Sequence, residues 1–407
     1  MQCGLLGGKL SHSYSPMIHS KLGDYQYSLY EKTAEELEDF LKNGCFTGIN
    51  VTIPHKKAVI PYCDSLTPVA AKMGAVNTII RQKDGKLIGH NTDYFGFQSM
   101  LSLSGLKVSG KKVLVLGTGG ASKVVQAVLE EQGANVVVIS RSGENHYGNL
   151  HLHKDAAAIV NTTPVGMYPN TDDAPLSLAE FPNLEGVLDL IYNPSSTLLL
   201  QEAEQRHLIA VNGLLMLVAQ AKESAEWFTG EKIDDGKINE IYSLLQNQAM
   251  NIVLIGMPGY GKSTIGRILA EKCGKKFVDA DALTEEKAGK TIPQIFQEAG
   301  EAAFRQIETQ VLKEIGKKTG LVIATGGGCV TREENYPALH QNGRIFFIER
   351  ELRSLARDGR PLSTDADLTE MYRIRKPMYD RFADHRVENH NPDDAAAQIL
   401  KIWEENL

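Results

Sequence analysis

The chain has 407 residues, too many for one ordinary domain at about 150 residues each, so two or three domains are expected. Hydrophobic residues at 42% and charged residues at 23% are those of an ordinary globular protein and exclude a disordered chain, while the longest apolar run, LLMLVA at 214–219, is far short of the roughly 20 residues that span a bilayer. A net charge of −7 argues against a nucleic-acid partner, because that binding calls for a basic face to displace counterions.

The first residues, MQCGLLGGKLSHS, lack the charged, apolar and small-residue segments of a secretory signal, so a cytoplasmic location is expected. Between residues 7 and 96 come four motifs: GGKLSHSYSP (7–16), GINVTIPHKK (48–57), GAVNTI (74–79) and GHNTDYFG (89–96). They crowd polar side chains and Lys56 onto loops beside strand-like runs, which costs stability unless ligands or hydrogen bonds satisfy them. Such a cluster suits a polyhydroxylated acid. Ser13, Ser15, Asn50, Thr52, Asn77 and Asp93 supply donors and acceptors, and Lys56 can move a proton at the hydroxyl where hydride leaves. Taken singly, Lys56 also reads as a surface lysine, and Asn77 and Asp93 as turn or helix caps.

The stretch KKVLVLGTGGASKVVQAVLEEQGANVVVIS (111–140) reads as strand, tight turn, helix and strand, one βαβ unit. In its turn Gly117 and Gly119, followed by Gly120 and Ala121, let backbone approach a pyrophosphate at a helix start. Ser122 stands at the third fingerprint position, where glycine or alanine is usual. The second strand ends in Ser140, Arg141 and Ser142 instead of a carboxylate, which suits a ribose 2′-phosphate and points to NADP(H). Arg141 alone could also be a solvated surface charge.

Two amphipathic helices follow, LLMLVAQAKESAEWFTG (214–230) and KINEIYSLLQNQAM, and the domain junction is expected near 246–250, with almost no linker. The apolar strand NIVLIG (251–256) then opens a phosphate-loop pattern with Gly256, Gly259, Gly261, Lys262, Ser263 and Thr264. Its backbone amides would wrap the phosphates of ATP, Lys262 would reach the β and γ groups, and the Ser263 hydroxyl would bind Mg²⁺. The five cysteines, Cys3, Cys45, Cys63, Cys273 and Cys329, stand singly without metal or redox spacing and read as reduced thiols.

With NTTPVGM (161–167), DLIYNP (189–194) and NGLLMLVAQA (212–221), the N-terminal motifs resemble shikimate dehydrogenase along nearly all of residues 1–247. The resemblance implies that Lys56 and Asp93 are the catalytic pair and that Ser13 and Ser15 bind the substrate carboxylate. Asn77, Thr52, Tyr192 and Gln220 would complete the pocket, with Asp93 also holding a substrate hydroxyl. Lys9 stands where the family usually has proline, and the segment between Arg141 and Asn161 is shorter than the strand–helix insertion of similar enzymes, so the nucleotide domain is abbreviated.

Residues 250–407 resemble shikimate kinase through FVDADALTEE (277–286), GEAAFRQIE (300–308), ATGGGCV (324–330), RDGRPLS (357–363) and RIRKPMYDR (373–381). By that resemblance Asp281 accepts the proton of the attacking hydroxyl, and Asp279 helps hold the metal. Arg305 and Arg375 clamp the carboxylate, Gly326, Gly327 and Gly328 bring bare backbone to the ring, and Arg360 closes on a lid. Asp279 and Asp281 also suit helix capping, and Arg305 could pair with Glu301 or Glu308 at helical spacing.

The expected architecture is α/β throughout: a two-lobed dehydrogenase with a Rossmann-like NADP domain, followed by a P-loop kinase domain with a parallel sheet. The substrate lobe is expected at 1–103, completed by helices in 213–247, the NADP domain at 104–212 and the kinase at 250–407. The expected activity is reduction of 3-dehydroshikimate with NADPH, then phosphorylation of shikimate with MgATP. Neither a membrane nor a protein partner is implied. Two rivals are a quinate dehydrogenase using NAD, disfavoured by Ser13, Ser15 and Arg141, and a catalytically silent ligand sensor, disfavoured by the joint presence of Lys56, Asp93, Lys262 and Asp281.

Overall fold

Three β-sheets organise the chain in the computed structural model, which describes residues 1–10, 13–351 and 365–405. The polypeptide separates into two compact units, one formed by Met1–Tyr192 with Leu199–Leu244 and the other by Asn193–Leu198 with Leu245–Leu407. Among the described residues, no helix is long and apolar enough to cross a membrane.

The first unit opens with strands β1 (Gln2–Gly7), β2 (Gln26–Glu31), β3 (Gly48–Val51), β4 (Ser65–Leu66), β5 (Thr78–Arg81) and β6 (Leu87–His90). They form one sheet in the order β2-β1-β3-β5-β6-β4. The β1–β2 and β1–β3 pairs are parallel, whereas β5 runs antiparallel to both β3 and β6. The reversal sets Asn50 opposite Thr78 and Thr78 opposite His90, so polar ends of three strands meet above an apolar floor of Leu6, Ile49, Val51, Val76 and Ile79.

Strands β7 (Lys112–Leu116), β8 (Asn135–Ile139), β9 (Ala158–Asn161), β10 (Gly186–Asp189) and β11 (Ile209–Val211) build a second sheet in the order β11-β10-β9-β7-β8. Its pairs are all parallel. Strands covered on both faces need continuous apolar runs, and KVLVL and AIVN supply them. After β8 the chain makes only the short helical segment Tyr147–His153 before entering β9, so β8 is an edge strand.

The helices Asp93–Ser104 and Leu214–Thr229 pack side by side. Gly96 makes this close approach possible, because a Cβ there would lie 2.9 Å from both Gln220 Cβ and the Met216 carbonyl oxygen. Burial of Phe97 and Met100 on the first helix contributes on the order of 1.5–3 kcal/mol per side chain.

The second unit holds β12 (Asn251–Ile255), β13 (Lys276–Asp279), β14 (Leu321–Ala324), β15 (Gly343–Glu349) and β16 (His385–Glu388), all parallel, in the order β13-β14-β12-β15-β16. The central β12 is buried along its whole length. In such a sheet ligands collect beyond the carboxyl ends of the strands where the order reverses, here beside β12.

Candidate active sites

In the first unit Lys56 lies beyond the end of β3 and Asp93 opens the helix Asp93–Ser104. The Lys56 Nζ donates to Asp93 Oδ2 at 2.6 Å, with 31% of the lysine and 15% of the aspartate side chain exposed. The two side chains therefore hold one another and stay partly open to water.

Beside it lies a buried polar floor. Asn77 is 2% exposed, and its Oδ1 accepts the Thr92 amide at 2.7 Å while its Nδ2 donates to Thr92 Oγ1 at 3.0 Å. A backbone amide can only donate, so this contact fixes which end of the Asn77 side chain is oxygen. Gln220 approaches from the helix Leu214–Thr229, its Oε1 3.4 Å from Thr92 Oγ1 and its Nε2 donating to the Leu217 carbonyl. Asn50 is placed differently. Its Nδ2 donates to Ser224 Oγ at 2.7 Å, and its Oδ1 accepts from the Tyr27 phenol at 2.8 Å, so both ends of the amide are engaged by the protein from beneath. Burial pushes the Tyr27 phenol well up, keeping it a donor.

Ser13 and Ser15 are coupled directly, Ser13 Oγ accepting the Ser15 amide at 3.2 Å. Thr52, half-buried, has its methyl against the position a side chain on Gly7 would take. The Tyr192 ring lies 5.9 Å from that of Tyr14, tilted by 55°, and burial raises both phenols.

The first glycine turn joins β7 to the helix Gly120–Glu131, with Gly119 as its N-cap residue. Gly117 has φ 104°, and a Cβ there would come 2.9 Å from Thr162 Oγ1. At Gly119 and Gly120 an added Cβ meets nothing within 4 Å, so the helix start presents bare amides with open space before them, which fits a pyrophosphate. Ala121 is exposed beside them. Ser122 does not compete for that space: fully buried, it turns its hydroxyl back onto the Gly117 carbonyl at 2.7 Å. At the end of β8, Arg141 and Ser142 are exposed, and the Ser140 hydroxyl donates to the Ser142 carbonyl.

In the second unit the phosphate loop runs from β12 into the helix Lys262–Cys273. Gly261, the N-cap residue, sits at φ 84°, a left-handed conformation that glycine adopts without strain. Asn389, just past β16, donates to the Tyr260 carbonyl at 2.8 Å and braces the loop. Lys262 is 8% exposed, with Nζ donating to the Gly256 and Met257 carbonyls at 2.8 and 3.0 Å. The Ser263 hydroxyl donates to Asp279 Oδ2 at 2.7 Å, while Asp279 Oδ1 caps the helix Ala280–Ala288 through the Asp281 and Ala282 amides. Asp279 thus caps the helix with one oxygen while the other accepts from Ser263. A hydroxyl and a carboxylate together are hard oxygen donors of the kind Mg²⁺ takes alongside phosphate and water. Thr264 is exposed one residue further along.

Gly326, Gly327 and Gly328, beyond the end of β14, form the opposite wall. An added Cβ at Gly326 would lie 2.5 Å from Asp281 Oδ1 and 2.6 Å from Glu308 Oε1, and at Gly327 it would lie 2.4 Å from Pro258 Cδ. At Gly328 it would meet the Arg305 guanidinium at 2.0–2.4 Å. Arg375 donates to the Gly327 carbonyl at 3.1 Å, and the Tyr379 hydroxyl donates to the same oxygen.

Arg305 is clamped by Glu308 at 2.7 Å and by Glu301 at 3.1 and 3.2 Å, and these carboxylates hold its guanidinium charged. Burial raises the Asp281 carboxyl, reinforced by Asp279 and opposed by Lys262 and Arg305. The Asp281 Oδ1 and Glu308 Oε1 atoms are buried without a hydrogen-bond partner among the described residues. Arg360 lies outside the described residues.

Several of these side chains escaped the sequence reading. Thr92 stood inside a recognised motif next to Asp93, and that position was the available signal, whereas Glu308 was read as a partner for Arg305 and does pair with it. Thr78 likewise stood inside a recognised motif, GAVNTI, whereas Tyr27 and Asn389 carried no signal, because their partners are distant in sequence.

Comparison with known proteins agrees with this geometry. The family model described as shikimate dehydrogenase substrate binding domain matches residues 5–79, and that of shikimate kinase matches residues 258–404. The shikimate dehydrogenase (NADP(+)) of Clostridium perfringens strain 13 is 37% identical over 265 residues, covering 60% of this chain and 97% of that protein. The one from Shouchella clausii is 40% identical over 258 residues, covering 57% and 94%. The crystal structure of shikimate dehydrogenase 1 from Peptoclostridium difficile superimposes with a TM-score of 0.55 at 37% identity, again over 60% of this chain and 97% of that one. The chain therefore belongs to the shikimate dehydrogenase family and carries a shikimate kinase domain behind its dehydrogenase part.

Proposed function

We propose that the two units catalyse consecutive reactions on one small ring acid: NADPH-dependent reduction of 3-dehydroshikimate to shikimate, then ATP-dependent phosphorylation of shikimate. The observation that carries the reading is the second wall of the kinase unit, where Arg305 and Arg375 both lie against Gly326–Gly328 and Asp281 faces the same turn. Two forked cations and one carboxylate match a hydroxylated carboxylic acid, and the phosphate loop supplies the donor side.

In the dehydrogenase unit NADPH, when bound, supplies the hydride. Gly117, Gly119, Gly120 and Ala121 receive its pyrophosphate at the helix start, and Ser140, Arg141 and Ser142 the 2′-phosphate. Lys56 gives its proton to the ketone oxygen as the carbon is reduced, so that carbonyl, hydride and proton together make the alcohol. Asp93 keeps Lys56 in place and accepts a hydrogen bond from a ring hydroxyl. Ser13 and Ser15 hold the carboxylate, Thr52, Asn77, Tyr192 and Gln220 hold the ring, and Asn50 supports that floor from below.

In the kinase unit Asp281 accepts the proton of the attacking hydroxyl, and Lys262 neutralises charge on the β- and γ-phosphates. Gly259, Gly261 and Thr264 supply backbone amides of the loop. Ser263 and Asp279 would hold Mg²⁺, which would screen the charge on the phosphates. Arg305 and Arg375 fix the carboxylate.

Incubating the full chain with 3-dehydroshikimate, NADPH and MgATP should yield shikimate 3-phosphate by mass. Omitting ATP should stop the reaction at shikimate. Faster turnover with quinate and NAD than with shikimate and NADP would instead establish the quinate reading.

A further inference from the structure

Ser224 lies one helical turn past Gln220 on the helix Leu214–Thr229 and is fully buried. Its Oγ is 2.7 Å from Asn50 Nδ2, 3.0 Å from Thr78 Oγ1, 3.0 Å from Thr92 Oγ1 and 2.9 Å from the Gln220 carbonyl oxygen. One hydroxyl thus ties together β3, the start of β5, the residue before Asp93 and the helix that carries Gln220. The residues it gathers stand as far as 174 positions away in sequence.

Proton counting shows that these contacts are ordered. The Gln220 carbonyl can only accept, so the Ser224 proton goes there. The two remaining lone pairs then accept from Asn50 and from one of the two threonines. The other threonine has Asn77 Oδ1 within reach, at 3.1 Å from Thr78 Oγ1 and 3.2 Å from Thr92 Oγ1. Because the Thr92 amide already fixes Asn77 Oδ1, the Asn77 Nδ2 end is turned toward the Thr92 hydroxyl and the site. Removing the Ser224 oxygen takes away the shortest acceptor of the Asn50 amide, which keeps only Thr78 Oγ1 at 3.2 Å and the Asn77 carbonyl at 3.5 Å, and leaves the two threonine hydroxyls to share Asn77 Oδ1 and the longer contact to Gln220 Oε1 at 3.4 Å, so the surroundings must shift to satisfy them.

Resting on the dehydrogenase reading above, we propose that Ser224 is the positioning residue of the substrate floor, setting Asn77, Gln220 and the start of the Asp93 helix in register with the ring.

The test is steady-state kinetics of shikimate oxidation on the full chain, with kinase turnover of the same preparation as internal reference. Ser224→Ala should raise KM for shikimate about tenfold while kcat changes less than about threefold. KM for NADP⁺ and both kinase constants should stay at wild-type values. Thr78→Val, isosteric but without the hydroxyl, should raise the same KM, Thr78→Ser should restore it, and the Ser224→Ala, Thr78→Val double variant should fall short of the product of the single effects.

A shikimate KM within twofold of wild type in Ser224→Ala, or a matching rise in KM for NADP⁺, overturns the proposal. If Ser224→Ala does not fold, the Thr78 pair decides, because equal KM values for Thr78→Val and Thr78→Ser overturn it and a rise in Thr78→Val alone supports it. A wild-type chain that leaves shikimate and NADP⁺ unchanged overturns the underlying reading, a result visible before any variant is made.

Discussion

The dehydrogenase unit pairs opposite charges, Lys56 and Asp93, at 2.6 Å and leaves both partly open to water. The kinase unit sets two carboxylates, Asp281 and Glu308, against one glycine, each with a buried oxygen that has no hydrogen-bond partner among the described residues. A pair of opposite charges neutralises itself and can stay partly exposed at little cost. Carboxylates facing the same glycine depend on what surrounds them, here Lys262 and Arg305. The contrast follows the chemistry, since reduction of a ketone must take up a proton, whereas phosphoryl transfer must keep water away from the donor.

The sharpest way to break this comparison is to remove one member from each side. Lys56→Ala should lower dehydrogenase kcat/KM by about 10³-fold and leave kinase turnover unchanged, and Asp281→Asn should do the reverse, within the 10²–10⁴ range of positioned acid–base groups. Loss of both activities from either substitution would mean that the units do not work independently. Next in size is Gly328→Ala, whose methyl would displace the Arg305 guanidinium. KM for shikimate in the kinase assay should rise roughly 10- to 100-fold, the worth of a charged clamp.

Acidity gives the third test. Burial raises the Asp281 carboxyl, so the acid limb of kinase kcat should lie above the range of a free aspartate and fall about tenfold per pH unit below it. The same shift bears on stability. A carboxyl that holds its proton more tightly when folded contributes stability below its unfolded value, and that contribution is lost as pH rises through the folded one. Asp281→Asn removes this loss, so the kinase unit should melt higher than wild type at neutral pH and show a smaller difference between acidic and neutral buffers.

Gly119→Ala probes the other glycine turn. With nothing within 4 Å of the added methyl, the melting temperature should not change, while KM for NADP⁺ rises about tenfold as the methyl enters the space offered to the pyrophosphate. Unchanged KM would remove that turn from the cofactor site. Smallest of all is Glu301→Gln. Its carboxylate is 59% exposed where it meets Arg305, so kinase constants should move less than about twofold.

What could be read in advance was what the chain writes locally. The phosphate loop, the βαβ turn and the helix carrying Arg305 each lie within a few consecutive turns, where spacing alone dictates backbone shape. Asp279 illustrates the limit of such reading. Capping and metal holding looked like alternatives, yet a carboxylate has two oxygens, and the fold uses one for the cap and leaves the other facing the Ser263 hydroxyl. Ser122 departs from the dinucleotide fingerprint, and only the structure shows why that is harmless, the hydroxyl being folded back on Gly117. The hydroxyl network around Ser224 was illegible because its members are brought together by strand order and helix packing, 146 and 174 residues apart. Asn50 was legible as polar and important, but not as a residue whose amide is already committed to its neighbours.

The outermost position of β8 carries a last consequence. The strand ends at an exposed Arg141, on a sheet margin that no further strand shelters among the described residues. A phosphate held there is held in full view of dissolved ions, whose atmosphere extinguishes attraction beyond about 8 Å at physiological ionic strength. Preference for NADP over NAD should therefore fade as potassium chloride is added, while KM for shikimate in the kinase assay, where the proposed clamp Arg305 is buried, should change less.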